Sequence, residues 1–393
     1  MKQTRQRKKG KLYNRKAMAI LFIGFLMLFC LVNVLVRDKE FSEKENRMLE
    51  QKPKLSWTGI ESGRYMKQYE SYKSDQFAGR NFWVAFKTRV DLIAGRRESN
   101  GVFKGDKKYL LEDIAKPNQE QMKQNLKAIR EFEKEYKDIP MYMMLVPNAA
   151  NILSERLPNF AVTENQEATF DAIKKTLGDK ITWVDAGKAL KAHKKEEIYY
   201  HTDHHWTTLG AYYAYEELAK TMKLDTSKSP KLKAYAVTNA FNGTLSATSG
   251  YETGYEEPIY IYVPEKEKEA TQVVVSYVDE KKKTATLYDR SKLKEKDKYA
   301  LFLGGNYSMI DIRTTADTTD RLLVIKDSYA NCLIPFLTPY YREIIVLDPR
   351  YYYGDIKEVM KENKITSVLF LYNGNTFVED NSISGVLQNG ETE

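Results

Sequence analysis

Apolar residues follow different rhythms along this chain. Ala17–Val36 has no polar rhythm at all: it reads AMAILFIGFLMLFCLVNVLV, 20 residues without a charge. As a helix rising 1.5 Å per residue it is about 30 Å long, the thickness of a bilayer core. Pro117–Tyr136 is different, with Met122, Leu126, Ile129, Phe132 and Tyr136 at helical spacing. Met141–Val146 is a continuous apolar run closed by Pro147-Asn148, the signature of a buried strand. A helix is expected at Ala168–Leu177 and a short strand at Thr182–Val184. Thr207–Met222 reads as a helix capped by Thr207 or Thr208, with Leu209, Tyr213 and Leu218 facing inward.

Residues 230–310 change character. Val273–Val278, Thr284–Tyr288 and Ala300–Leu303 are β-type runs between charged stretches, read as hairpins of an insertion. Beyond them the pattern alternates. Strands are expected at Leu322–Ile325, Glu343–Leu347 and Val368–Tyr372, and helices at Ala330–Leu337 and Asp355–Lys364. Strands alternating with helices imply an α/β fold, a parallel sheet flanked by helices on both faces. The expected organisation is a basic tail over 1–16, a membrane span over 17–36 and a helical connector over 37–100. A domain over 101–380 follows, holding the β-rich insertion at 230–310, and then a loose tail over 381–393.

The charge refines this picture. Residues 1–16 carry eight Lys and Arg and no acid, and without those eight the 62 basic residues become 54 against 54 Asp and Glu. The net charge of +8 therefore belongs to the tail, which argues against nucleic-acid binding. Cations abutting the apolar run place residues 1–16 in the cytoplasm and everything after Val36 outside, as a single-pass protein of the cell membrane. A cleaved signal peptide would have a shorter apolar region and a small-x-small cleavage site, whereas Val36-Arg37-Asp38-Lys39 follows here. Of the two cysteines, Cys30 lies in the span and Cys332 beyond it, so no intramolecular disulfide is expected.

The candidate chemistry lies in two segments. Three of the four histidines crowd into Tyr200-His201-Thr202-Asp203-His204-His205-Trp206-Thr207. The apolar strand Leu322–Ile325 leads through Lys326 and Asp327 to Ser328, at a strand-to-helix corner. Ligands of open α/β sheets bind at such strand ends. A serine hydroxyl is a poor nucleophile until a base removes its proton, and a histidine oriented by a carboxylate is the base suited to neutral pH. Asp203 and His205 can supply both parts, since residues two apart in an extended segment point the same way. Trp206 and the following helix would hold His205. A serine after a strand is also common as mere structure. A metal site is the sharper rival, with His201, Asp203 and His205 along one strand face, although a further ligand would have to come from an Asp or Glu elsewhere.

The element Asp203-His204-His205-Trp206-Thr207, with the later Lys326-Asp327-Ser328-Tyr329, resembles the DHHW family. That family is similar to the alginate O-acetyltransferase branch of the SGNH-hydrolase-like superfamily. Ser42-Glu43-Lys44-Glu45-Asn46-Arg47, Asp75-Gln76-Phe77 with Arg80, Val146-Pro147-Asn148, Leu157-Pro158, Phe302-Leu303-Gly304-Gly305-Asn306 and Pro335-Phe336-Leu337 also fit, in order, over about residues 40–375. The resemblance implies an SGNH-like, flavodoxin-like parallel sheet and a catalytic set in the order Asp203, His205, Ser328, without a cofactor. It makes Gly305 and Asn306 candidate oxyanion donors beside the Ser328 N–H, against the alternative of a plain turn before a hairpin, and gives supporting roles to Trp206, Asp327 and Tyr329. Lys326 stands where the wider superfamily often has Gly. The implied function is O-acetylation of a cell-surface or exported polysaccharide, with the acyl donor supplied by a multipass membrane O-acyltransferase. Hydrolysis by the same residues, a metal-dependent enzyme and a non-catalytic glycan-binding component of an export machine are the alternatives.

Overall fold

A computed structural model describes residues 2–42 and 47–388, with side chains for residues 15–40, 42 and 48–388. The chain divides into two compact units, Met1–Gly95 and Arg96–Glu393.

In the first unit one long helix covers Lys2–Leu35. Its segment Arg15–Leu35 is long and apolar enough to cross a membrane, which fits either a single-pass anchor or a signal sequence. Two short strands, Phe41–Ser42 and Arg47–Met48, pair antiparallel, and helices follow at Trp57–Glu61, Arg64–Asp75 and Arg80–Ile93. Gln76 joins the strands' flanks to the helices: its side chain accepts from Lys39 N at 2.9 Å and donates to Lys39 O at 2.8 Å and Glu50 O at 3.1 Å. Asp75 accepts from Glu50 N at 2.8 Å. The family-like residues Glu43–Asn46 lie outside the described residues.

The second unit is built on one eight-stranded sheet. Its strands are β1 (Met141–Val146), β2 (Ile181–Trp183), β3 (Val273–Tyr277), β4 (Lys282–Thr284), β5 (Met309–Thr314), β6 (Arg321–Lys326), β7 (Glu343–Leu347) and β8 (Ser367–Asn373). The spatial order is β4-β3-β5-β7-β6-β8-β1-β2. The block β7-β6-β8-β1-β2 is parallel, and β5, β3 and β4 extend it with antiparallel pairings. The fold is thus mixed α/β around a large, partly parallel sheet. A flavodoxin-like order would run β2-β1-β6-β7-β8 through the parallel strands. Here β8 is inserted between β1 and β6 instead. All seven residues of β8 are buried, and a strand apolar on both faces belongs in mid-sheet.

Alternation along the strands fills two cores. Leu322 and Val324 of β6, with Leu369 and Leu371 of β8, face the side covered by Ala186–Ala192 and Thr208–Met222. Leu323 and Ile325, with Val368, Phe370 and Tyr372, face the side covered by Gln119–Glu135, Gln166–Leu177 and Ile356–Glu362.

The expected elements shift in five places. The run Thr284–Tyr288 makes no strand of its own: Thr284 ends β4, and Tyr288 keeps a single antiparallel bridge to Phe302. Helix Thr208–Met222 buries Ala211, Ala214, Tyr215 and Leu218, while Leu209 and Tyr213 are only half-buried. Tyr213 instead stacks on His193 and donates to Glu196 near the surface. Ala300–Leu303 is not a strand: Lys298–Leu301 form a 3-10 turn, and Leu303, Gly304 and Gly305 all take positive φ, which ends any pleat. The helix expected at Ala330–Leu337 is two 3-10 turns, Ser328–Cys332 and Ile334–Leu337, where Pro335 lacks the N–H that a continuous helix needs. The segment from 381 is not loose as far as it is described. Ile383–Gln388 is a helix with Ile383, Val386 and Leu387 buried, and Asp380 accepts from Ser382 N at 2.7 Å and Ile383 N at 2.9 Å at its start. Residues 389–393 lie outside the described residues.

Candidate active site

The carboxyl ends of the parallel strands carry polar residues close together: Asn148 after β1, Ser328 after β6, Asp348 after β7 and Asn375 after β8. The histidine-rich segment reaches this edge as a tight loop. Tyr199 bridges Trp206, Tyr200 N donates to His205 O at 3.2 Å, and residues 201–205 form the tip. The tip is bent, not extended, so strand alternation is not what aligns Asp203 with His205. A side-chain turn does it: Asp203 Oδ1 accepts from the backbone N–H of His205 at 2.9 Å and from its Nδ1 at 2.6 Å. Glu257 braces the other half of the tip, accepting from His201 N at 2.8 Å, Thr202 N at 2.9 Å and Thr202 Oγ1 at 2.7 Å.

His205 Nε2 lies 2.8 Å from Ser328 Oγ. Proton bookkeeping follows from the partners. A carboxylate only accepts, so Nδ1 carries the proton towards Asp203, leaving a lone pair on Nε2 for the Ser328 hydroxyl. Asp203 Oδ2 accepts from Thr244 N at 2.8 Å and Thr244 Oγ1 at 2.9 Å, so each carboxylate oxygen takes two donors. Burial pushes the Asp203 carboxyl up, but the charges of His204 and His205 and the donors around it outweigh burial and hold it well below the usual carboxylate range. Having donated to Asp203, Thr244 Oγ1 accepts from His204 Nδ1 at 2.8 Å. Burial pushes the His204 imidazole down.

Neighbouring aromatics fix these rings. Tyr299 stacks on His205, with centroids 3.7 Å apart and planes 13° apart, and donates to Ser328 O at 3.2 Å. Trp206 Nε1 donates to Tyr329 O at 3.0 Å, and Tyr329 Oη donates to His204 O. Asp327 is fully buried, accepting from Tyr329 N and Asn373 N, each at 2.9 Å. It ties the turn bearing Ser328 to the end of β8.

Gly305 and Asn306 meet residues flanking Ser328 in sequence and form no hydrogen bond with Ser328 or His205. Lys326, wholly buried, donates to Asn306 Oδ1 at 2.8 Å and lies 3.3 Å from Asp348 Oδ2. Asn331 Nδ2 donates to Asn306 Oδ1 at 3.2 Å and Gly305 O at 3.4 Å. With its oxygen held this way, Asn306 keeps its exposed amide protons for another acceptor. Among the described residues none accepts from Ser328 N–H.

His201 does not line up with Asp203 and His205 as a metal ligand. Its ring stacks on Tyr109 at 3.7 Å and its Nε2 bonds Glu197 at 2.7 Å. Among the described residues, the group close enough to share an ion is Asp203, His204 and His205, whose ligand atoms lie within 4.8 Å of one another. Both ring nitrogens of His205 are already engaged, by Asp203 and Ser328, so an ion there would displace those bonds.

Several residues at the site are not apparent in the sequence. Gly243 is one: a Cβ on it would sit 2.2 Å from Asp203 Cβ, so only glycine lets Thr244 reach the carboxylate. Its one sequence signal is the turn-like Asn242-Gly243-Thr244 between two strands. Glu112 is another. Asn148 Nδ2 donates to it at 2.8 Å and Asn375 Nδ2 at 3.2 Å, and burial raises its carboxyl. With Asp113, Lys116, Thr163, Asn375 and Glu379 it lines a cleft of about 450 Å³, and it lies within charge range of His204.

Fold and site together define a class: an α/β protein with a serine, a histidine and an aspartate in one hydrogen-bonded line at the carboxyl edge of a parallel sheet. The chain belongs to the DHHW family, whose model matches residues 120–347. Among solved structures, a DHHW family protein from Eubacterium siraeum is similar over 74% of this chain and 96% of its own, at 24% identity and a TM-score of 0.62. Bacillus cereus PatB1, in a structure bearing a sulfonyl adduct, is similar over 72% and 97%, at 22% identity and a TM-score of 0.60. These likenesses concern the fold. No curated protein matches the chain.

Proposed function

We propose that this protein is a membrane-anchored O-acyltransferase, acting on a cell-surface or exported polysaccharide through Ser328, His205 and Asp203. The observation that carries the reading is the 2.8 Å contact between Ser328 Oγ and a His205 Nε2 whose opposite nitrogen is held by Asp203. In the proposed step His205 takes the Ser328 proton as Oγ bonds to the acyl carbon. The tetrahedral intermediate collapses, the donor's alcohol leaves with that proton, and the acyl group stays on Ser328. A sugar hydroxyl then gives its proton to His205 as it bonds to the acyl carbon, and the acyl–Oγ bond breaks as His205 returns that proton to Ser328 Oγ. The Ser328 N–H and the Asn306 amide are the candidate donors to the oxyanion, and removing one such donor typically costs about 3–4 kcal/mol. Acetyl is the acyl group that the family resemblance favours, and the reading calls for no cofactor.

The remaining parts follow the same reading. Residues 1–16 lie in the cytoplasm, 17–36 span the membrane and 37–100 connect to the outer domain. A multipass membrane O-acyltransferase supplies the donor. An esterase using the same residues is the second reading, supported by a half-buried Ser328 that water can reach. Acyl release from an aryl acetate, measured with and without an oligosaccharide acceptor, separates the two. Acceptor-stimulated turnover supports transfer, and acceptor-independent release supports hydrolysis. Ser328→Ala is expected to fold normally and lose both activities. Wild-type turnover by that variant contradicts the proposal.

A further inference from the structure

The helix Arg80–Ile93 presents an apolar face to its surroundings. Phe82, Phe86 and Ile93 are 63%, 53% and 87% exposed, and Trp83 and Val90 are exposed beside them. Successive helical residues turn by about 100°, so Phe82, Ile93, Phe86, Val90 and Trp83 fall within one arc of roughly 100°. The next positions around the helix are Arg89 on one side and Lys87 on the other, with Lys87 bonded to Asp91 at 2.9 Å. The opposite side carries buried Thr88 and half-buried Ala85 and Leu92. A large apolar patch on a soluble surface asks for a partner. A narrow aromatic stripe bordered by Lys and Arg is the pattern of a helix lying in a membrane interface, where long cationic side chains reach back to the headgroups.

Contacts with the span identify that partner. Phe29 packs on Phe77 at 5.2 Å and on Trp83 at 6.4 Å, and Ala78 N donates to Asn33 Oδ1 at 2.8 Å. Phe29 precedes the end of the apolar run at Val36 by seven residues, about 10 Å along the helix. Interfacial helices bury their apolar face about 5–10 Å below the headgroup boundary. The start of Arg80–Ile93 is therefore held at the depth such a helix occupies.

We infer that the Phe82, Phe86 and Ile93 face lies in the outer leaflet of the bilayer spanned by residues 17–36, making a second, interfacial attachment. This rests on the anchor reading of that span. The full chain, with Cys30→Ala and Cys332→Ala, is reconstituted into phosphatidylethanolamine and phosphatidylglycerol vesicles. A polarity-sensitive dye is placed on Phe86→Cys, Ile93→Cys, Leu26→Cys or, as an exposed control, Glu70→Cys. Labels at 86 and 93 are expected to be quenched by shallow acyl-chain quenchers, the label at 26 by deep ones, and the label at 70 only by iodide present on both sides. Because Ile93 is so exposed, its replacement leaves the fold intact even if Phe86→Cys does not. Lipid quenching at 26 but iodide quenching at 86 and 93 overturns the inference and leaves the anchor standing. Iodide quenching at 26 removes the anchor itself. Labels at 86 and 93 shielded from both quenchers mean that protein covers the face, which also overturns the inference.

Discussion

Replacing Asp203 by asparagine keeps the size of the side chain and removes only its charge and one acceptor. The geometry makes that change severe. Four donors converge on the carboxylate: His205 N and Nδ1 on Oδ1, Thr244 N and Oγ1 on Oδ2. An amide has one NH2, and it has to face one pair of donors or the other. Facing His205, it forces the imidazole into the tautomer whose Nε2 carries a proton, so the lone pair that would accept from Ser328 is gone. Facing Thr244, it leaves a half-buried backbone N–H without its acceptor, at a cost of about 1 kcal/mol of stability. Either way the imidazolium formed during reaction loses its counter-charge. In Ser-His-Asp enzymes the equivalent change lowers turnover about 10⁴-fold, or about 5.5 kcal/mol of barrier. The assay is the initial rate of acetyl release from an aryl acetate by the full chain in detergent, alongside its thermal midpoint. The variant is expected to stay folded with a modestly lower midpoint and a rate down by about three to four orders of magnitude. A folded variant working within tenfold of wild type would refute the reasoning.

Other outcomes follow from the same geometry. Gly243→Ala puts a methyl 2.2 Å from Asp203 Cβ, so overpacking of about 1–3 kcal/mol is expected in the unfolding midpoint together with a large loss of turnover; wild-type values for both contradict this. Lys326→Met leaves Asp348 paired with Arg350 at 2.8 and 2.7 Å but leaves the Asn306 oxygen held by Asn331 Nδ2 alone, at 3.2 Å. Turnover should fall, Asn306→Ala should lower it by about 10²-fold, and the double variant should fall no further than Asn306→Ala; additive losses contradict the link. His204 is depressed by burial from an ordinary value near 6.5, so the folded state binds its proton less readily than the unfolded chain. Its share of stability is complete above that value and lost as pH falls below it. Glu112 and Glu257, raised by burial, act in the opposite sense. The drop in thermal midpoint between pH 7.5 and 5.5 should therefore shrink in His204→Gln, and an unchanged drop contradicts the assignment.

Some of this architecture is legible in the sequence and some is not. Met141–Val146, Leu322–Ile325, Glu343–Leu347 and Val368–Tyr372 declare themselves because buried parallel strands are continuous apolar runs. The pairing order is not declared: β8 comes last in the chain yet sits between β1 and β6, a non-local choice that no local pattern encodes. Ser328, His205 and Asp203 stand out because histidine is rare and Ser328 ends an apolar strand, and the structure brings their side chains into contact. The reason for their alignment is hidden, because a bent side-chain turn at Asp203 replaces the strand alternation that the sequence suggests. Thr244, Tyr299 and Glu257 are ordinary residues in stretches without a recognisable motif, recruited only when the hairpin Leu232–Pro264 and the turn at Lys298 fold over the loop. Pro335 is visible in the sequence, yet the apolar run around it outweighs it until the backbone is seen.

The central claim is that the Ser328 oxygen carries the acyl group between donor and acceptor. The direct test is acid-quenched peptide mass spectrometry of the full chain after brief exposure to an acetyl donor. One acetyl group is expected on the peptide containing Ser328, absent in His205→Ala and removed when an oligosaccharide acceptor is added. Turnover with Ser328 unmodified under conditions that trap acyl-enzymes, or an acetyl group that transfers from a different residue, would contradict the account.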